Sequence, residues 1–167
     1  MKYTHVKSAM VAAAVLAFAL VSASKSAFAT TATANIAVST TVTNTCTIQN
    51  GSLAFAAYTG TALTATGTFT VNCTNNGDYT VALGVGAGTG ATFGTRYMMN
   101  GTYKLGYNIY TSSTDTTVWG DGTGSTGTVS GVGTGSSQTI NVYGAIPANE
   151  AAISGTYTDT VVATITY

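Results

Sequence analysis

The chain has 167 residues with only 5 Lys plus Arg, 5 Asp plus Glu and one histidine, alongside 20 glycines and 10 tyrosines. Lys2, Lys7 and Lys25 fall in a leader-like N-terminus, so the remainder keeps Arg96 and Lys104 against Asp78, Asp115, Asp121, Glu150 and Asp159, a net charge near −3. So few cations exclude a phosphate-neutralising patch, hence nucleic acid or an anionic membrane surface as partner.

Lys2 and Lys7 precede an apolar run from Ala9 to Val21 and a small-residue site, Ala27, Phe28, Ala29, which is the pattern of a secretory signal. Residues 1–29 are therefore expected to be removed, with Ala23 as an alternative cleavage point. The run is shorter than the roughly 20 residues of a spanning helix, and no later stretch qualifies. The expected product is exported, without membrane insertion, and about the size of one domain.

Behind the signal, Ala32, Ala34, Ile36 and Val38 alternate with Thr31, Thr33, Asn35 and Ala37, which is strand spacing. Val42, Cys46 and Ile48 continue the alternation, predicting a first core strand over residues 40–48 and a turn at Asn50, Gly51 and Ser52. Leu53, Phe55 and Tyr58 predict a short strand. Phe69, Val71 and Cys73 predict another, closed by a turn over Asn75, Asn76, Gly77 and Asp78. Tyr79, Val81, Leu83 and Val85 give the clearest period of two. Strands are further expected around Tyr103 to Ile109, at Val118 and Trp119, and around Ile140 to Ile146. The glycine, serine and threonine run of residues 120–135 reads as a long surface loop. Tyr157, Val161, Ala163, Ile165 and Tyr167 alternate on a final strand, expected to leave its edge uncovered and open to pairing. An extra strand at one end and an open edge at the other suit a subunit completed by its neighbour.

No window carries helical periodicity, and about seven short strands between turn clusters predict an all-β, immunoglobulin-like sandwich. Cys46 and Cys73, an even pair in an exported chain, predict one disulfide. Its stabilisation is about 3.5 kcal/mol in the chain-entropy account.

The residue inventory opposes catalysis. His5 lies in the leader, leaving no imidazole for a triad or a zinc site. Asp78, Asp115, Asp121 and Glu150 sit in turn-like segments, and Asp159 is expected to satisfy backbone donors. Neither a paired-carboxylate site nor an enzyme is expected. Gly84, Gly86 and Gly88 precede no helix pattern and read as a turn, not a phosphate loop. Asp121 alone is too few ligands for calcium. No catalytic, metal or cofactor residue is expected. Tyr97, Tyr103, Tyr107, Tyr110 and Trp119 admit a sugar-stacking surface, with core or sandwich flank as the ordinary reading.

Several segments together resemble the spore coat protein U family, which includes major subunits of archaic, Csu-type chaperone-usher pili. They are Asn44 to Ile48, Val71 to Cys73, Leu105 to Tyr110, Trp119 to Gly122, Tyr143 to Ala148, and Gly155, Tyr157, Asp159 and Val161. Where the family usually has a Phe-Gly pair, Phe55 is followed here by Ala56. The resemblance implies an incomplete immunoglobulin-like fold lacking its last strand and completed by donor-strand complementation. It also implies a periplasmic chaperone, an outer-membrane usher, and a linear homopolymer forming a cell-surface pilus. Ala32, Ala34, Ile36 and Val38 match the donor residues, and Cys46 and Cys73 match the family's bridge. The expected layout is a donor strand over 30–39 and a domain over 40–167. Acceptor-groove candidates are Val42, Ile48, Val161, Ala163, Ile165 and Tyr167. A fibre serving adhesion and biofilm formation is the leading expectation; a spore coat protein and a monomeric carbohydrate-binding module are the others.

Overall fold

The computed structural model describes residues 28–114 and 116–167. Most of the expected signal segment, and Asp115, lie outside them. Residues 28–39 belong to a unit separate from residues 40–167. In that first unit the described residues form neither helix nor strand and are exposed throughout. Ile36 and Val38 are 86% and 90% exposed.

The second unit is all β. Its strands are β1 (Cys46–Ser52), β2 (Leu63–Cys73), β3 (Asp78–Leu83), β4 (Arg96–Asn100), β5 (Tyr103–Tyr110), β6 (Val129–Val132), β7 (Ser137–Ile146) and β8 (Ala163–Thr166). They form a five-stranded sheet in the order β1-β2-β7-β5-β4 and a three-stranded sheet in the order β6-β3-β8, with every pairing antiparallel. The described residues contain no helix, so none is long and apolar enough to cross a membrane.

Period-two alternation selects the core. Phe69, Val71 and Cys73 of β2, Tyr79, Val81 and Leu83 of β3, and Leu105, Tyr107 and Ile109 of β5 are all buried. Trp119, fully buried, rests its ring 6.0 Å from that of Phe69 and donates Nε1–H to the Val81 carbonyl at 2.9 Å. One side chain thus joins the two sheets and satisfies its own polar atom. Cys46 faces Cys73 in the β1–β2 ladder and the two are bonded, tying neighbouring strands.

Several expected boundaries move. The first core strand starts at Cys46 and continues through Asn50, Gly51 and Ser52, because a register shift between Gln49 and Ser52 absorbs the turn-like residues inside the ladder. Gly67 makes that shift sterically open: a Cβ there would strike the Ser52 carbonyl and the Leu53 Cα. Leu53, Phe55 and Tyr58 pack on the core without forming a strand. The loop expected over residues 120–135 contains β6, whose Gly131 lies against the Tyr79 ring, and a bridge between Trp119 and Gly127. β4 carried no apolar alternation strong enough to predict it, because Arg96 occupies its buried position.

Candidate functional site: an open groove between two strand edges

Among the described residues β1 pairs only with β2, and β8 only with β3, so each presents an edge free of any described strand. The two come within 8 Å, Cα to Cα. Between them the sandwich opens into a cavity of about 650 Å³. One wall is Ile48 to Leu53 and the other is Tyr157 to Val161 with Ala163; Phe69, Leu83, Ile109 and Val142 form the apolar floor. A second cavity of about 880 Å³ shares Leu53, Phe55, Met98 and Tyr157 with the first and continues toward Ile146 and Ile153. The sandwich is therefore an incomplete immunoglobulin-like one with a strand's place empty.

The irregular stretch after β1 is held in place at both ends. Phe55 meets Tyr107 edge-on with ring centroids 6.2 Å apart, and it packs against Gly144, where any Cβ would crowd its ring. Tyr58 donates its hydroxyl to the Pro147 carbonyl at 2.9 Å and accepts from the Glu150 amide at 2.8 Å. Glu150 in turn accepts the Gly106 N–H at 3.0 Å.

The carboxylate in the groove is used internally. Asp159 Oδ2 accepts the Tyr107 hydroxyl at 2.7 Å, while Oδ1 accepts the amides of Ala87 at 2.8 Å and Thr160 at 2.7 Å. The expectation that Asp159 serves backbone donors holds, although it precedes β8 and does not lie within it. Gly86, at φ 92°, gives the carboxylate room. Burial, then the Asp159 hydrogen bond, push the Tyr107 phenol well above its ordinary range.

Behind Tyr107 lies Arg96, opposite it in the β4–β5 register and completely buried. Its Nε and Nη2 donate to the Gly84 carbonyl at 3.0 and 2.7 Å. Nη2 also reaches the Trp119 carbonyl at 2.7 Å, and Nη1 the Asn108 Oδ1 at 2.6 Å. Desolvation lowers its pKa, opposed by the nearby Tyr107 and Asp159. This planar fork ties the segments at Gly84 and Trp119 to Asn108 of β5, a role a lysine cannot fill. Residue pattern alone marked Arg96 only as a rare cation.

Of the acceptor candidates named from sequence, Ile48, Val161 and Ala163 line the first cavity. Ile165 packs half-buried on the core. Val42, 77% exposed and ahead of β1, and Tyr167, 56% exposed, do not line it. Leu53, Phe55 and Met98 line both cavities and were not singled out as groove residues; the Leu53 and Phe55 alternation was their signal. Among the aromatics considered for sugar stacking, Trp119 and Tyr107 are core residues, and Tyr97 lies under the Lys104 ammonium at 4.8 Å. Asp121 closes its own turn, accepting from the Thr123 amide and hydroxyl, which lowers its pKa. Among the described residues no three His, Cys, Asp or Glu side chains gather as a metal site would require.

Residues 10–164 match the Spore Coat Protein U domain. The chain belongs to that family. Protein U of Myxococcus xanthus is 37% identical over 131 residues, which cover 70% of this chain and 72% of that protein. The spore coat U fold also has a solved counterpart. It is a chain of the crystal structure of the CsuC–CsuE chaperone–tip adhesion subunit pre-assembly complex from archaic chaperone-usher Csu pili of Acinetobacter baumannii. That chain aligns with a TM-score of 0.54 at 23% identity, over 76% of this chain and 40% of the other. The likeness is one of fold, and the present chain spans about two fifths of that neighbour's length.

Proposed function

We propose that this chain is a structural subunit of an extracellular fibre assembled by donor-strand exchange. Residues 30–38 of one copy enter the groove between β1 and β8 of the next. The observation that carries the reading is a pair of deficits: Ile36 and Val38 stand exposed while a groove of about 650 Å³ with an apolar floor stays open. Burying each of these side chains contributes about 1.5–3 kcal/mol. Each ladder hydrogen bond along the free edges adds about 0.5–1.5 kcal/mol. Strand addition of this kind is the general mode of pilin complementation. Donor and acceptor surfaces differ, so the contact does not close on itself and propagates as a linear homopolymer.

The same reading assigns residues 1–29 to a cleaved signal, 30–39 to the donor strand and 40–167 to the pilin domain. Before polymerisation an open groove requires a holder, which makes a periplasmic chaperone and an outer-membrane usher the expected partners and a cell-surface pilus the destination. Adhesion and biofilm formation are the services such a fibre would give. A spore coat role is the second reading, favoured by the match to the Spore Coat Protein U domain. It shares the strand exchange and needs no usher.

Export of the chain to a bacterial periplasm, with and without residues 30–38, tests this. A ladder of multimers that resists detergent, collapses on boiling and vanishes with the deletion is the expected result. A stable monomer from the full chain would overturn it.

A further inference from the structure

The adjacent strands β1, β2 and β7 contain no charged residue. Their inward positions build the core; their outward positions form a separate surface. Along β2 this surface reads Thr64, Thr66, Thr68, Thr70, one threonine at every alternate position, the first three exposed and the fourth half-buried. Successive hydroxyls in such a row stand roughly 6.7 Å apart, and the row spans about 20 Å. Across the ladder Thr66 opposes Tyr143, and Tyr143 opposes Tyr110 on its other side. Two half-buried phenols therefore lie together beside the threonine row. Asn141, opposite Thr68, donates to the Tyr143 hydroxyl at 3.3 Å.

The chemistry of this face restricts what it can hold. An anionic partner would need cations, and these strands supply none. An apolar partner would strip water from the threonines without replacing it, at about 1–3 kcal/mol for each unsatisfied group. Threonine hydroxyls both donate and accept, as sugar hydroxyls do. The tyrosines add an apolar body with a polar tip, suited to the face of a sugar ring. A row about 20 Å long exceeds a single sugar several-fold. We propose that the outward face of β2 and β7 binds a neutral polysaccharide, its chain lying along the threonine row and a ring resting on Tyr143 and Tyr110. Only Thr68 also borders the groove; the rest of the site lies outside it, and binding does not depend on polymerisation.

The test is depletion of the full exported chain by insoluble cellulose, curdlan and chitin, beside carboxylate-coated and amine-coated polystyrene beads. Depletion by at least one polysaccharide, unchanged from low to high salt, with none by either bead, is expected. The isosteric double variant T66V/T68V should lose at least tenfold in retention, while T66S/T68S retains most of it. Matching far-UV spectra and an intact disulfide on a non-reducing gel show that both variants fold. No depletion by any of the three, salt-sensitive depletion, or a valine variant that binds like the parent would overturn the proposal. So would altered self-association of T66V/T68V in sedimentation without polysaccharide binding, which would make the face a contact between copies.

Discussion

The Tyr107 hydroxyl donates to Asp159 Oδ2 at 2.7 Å, joining the floor of the groove to the wall that leads into β8. Burial first, and then this bond, keep the phenol protonated far beyond its usual range. A raised folded-state value means that, above the ordinary phenol pKa near 10, the unfolded chain releases this proton while the folded chain keeps it. Stability from this group is therefore complete below about pH 10 and declines as pH rises further. Unfolding by denaturant at pH 8 and at pH 11 should show this decline in the parent and a smaller one in Tyr107→Phe. At pH 8 the variant should lose about 1.5–3 kcal/mol, the range for a hydrogen bond to a charged group.

Arg96→Lys keeps the charge but cannot reproduce the fork that serves Gly84, Trp119 and Asn108 together. A loss of about 2–4 kcal/mol is expected in denaturant midpoint measurements, given about 1–3 kcal/mol for each buried group left without a partner. Arg96→Met should cost as much or more. A variant as stable as the parent would show that the carbonyls find other donors.

Gly67→Ala places a methyl group against the Ser52 carbonyl and the Leu53 Cα, both backbone atoms that cannot swing aside. Destabilisation of about 1–3 kcal/mol is expected from overpacking. Amide hydrogen exchange should localise the change to β1 and the facing part of β2, leaving the β3–β8 ladder protected.

Ile36→Asp or Val38→Asp should abolish multimers while leaving exported monomer. A buried unpartnered carboxylate is unfavourable by more than the side chain it replaces contributed. Normal ladders from either variant would exclude the register in which both side chains enter the groove. Substituting Phe28, which precedes residues 30–38, should leave polymerisation unchanged in the same gel assay.

The parts of this fold that were legible in sequence are those in which apolar side chains alternate. β3, β5 and β7 were expected near their observed places because Tyr79, Val81, Leu83, Leu105, Tyr107, Ile109, Val142 and Ile146 report the buried face directly. β6 was hidden because its neighbour Tyr79 fills the space above Gly131, so the strand needs no large side chains. β4 was hidden because a buried arginine satisfied by carbonyls breaks the pattern. At the groove, period-two reading found Ile48, Val161 and Ala163, which line it. It also gathered Val42 and Tyr167, which do not, since alternation says which face a residue shares but not where the strand begins. The side of the second cavity from Leu53 to Tyr58 follows instead from tertiary bonds of Tyr58 to Pro147 and Glu150, 89 and 92 residues away in the chain.

The chain ahead of β1 is moored one residue before the disulfide. Thr45 accepts from the Thr74 amide at 2.9 Å and donates its own amide to the Thr74 hydroxyl at 3.0 Å, while Asn44 reaches the Asp78 carbonyl. Tension applied at Thr40 would meet this clasp first and then pass through the Cys46–Cys73 bond directly into β2. The β1 ladder beyond that point would carry almost none of the load. β1 can therefore border an open groove with only one hydrogen-bonded neighbour and still not be peeled away by a pull on the N-terminal side. The mechanical weak point is displaced to whatever non-covalent contacts hold the segment on which the force acts.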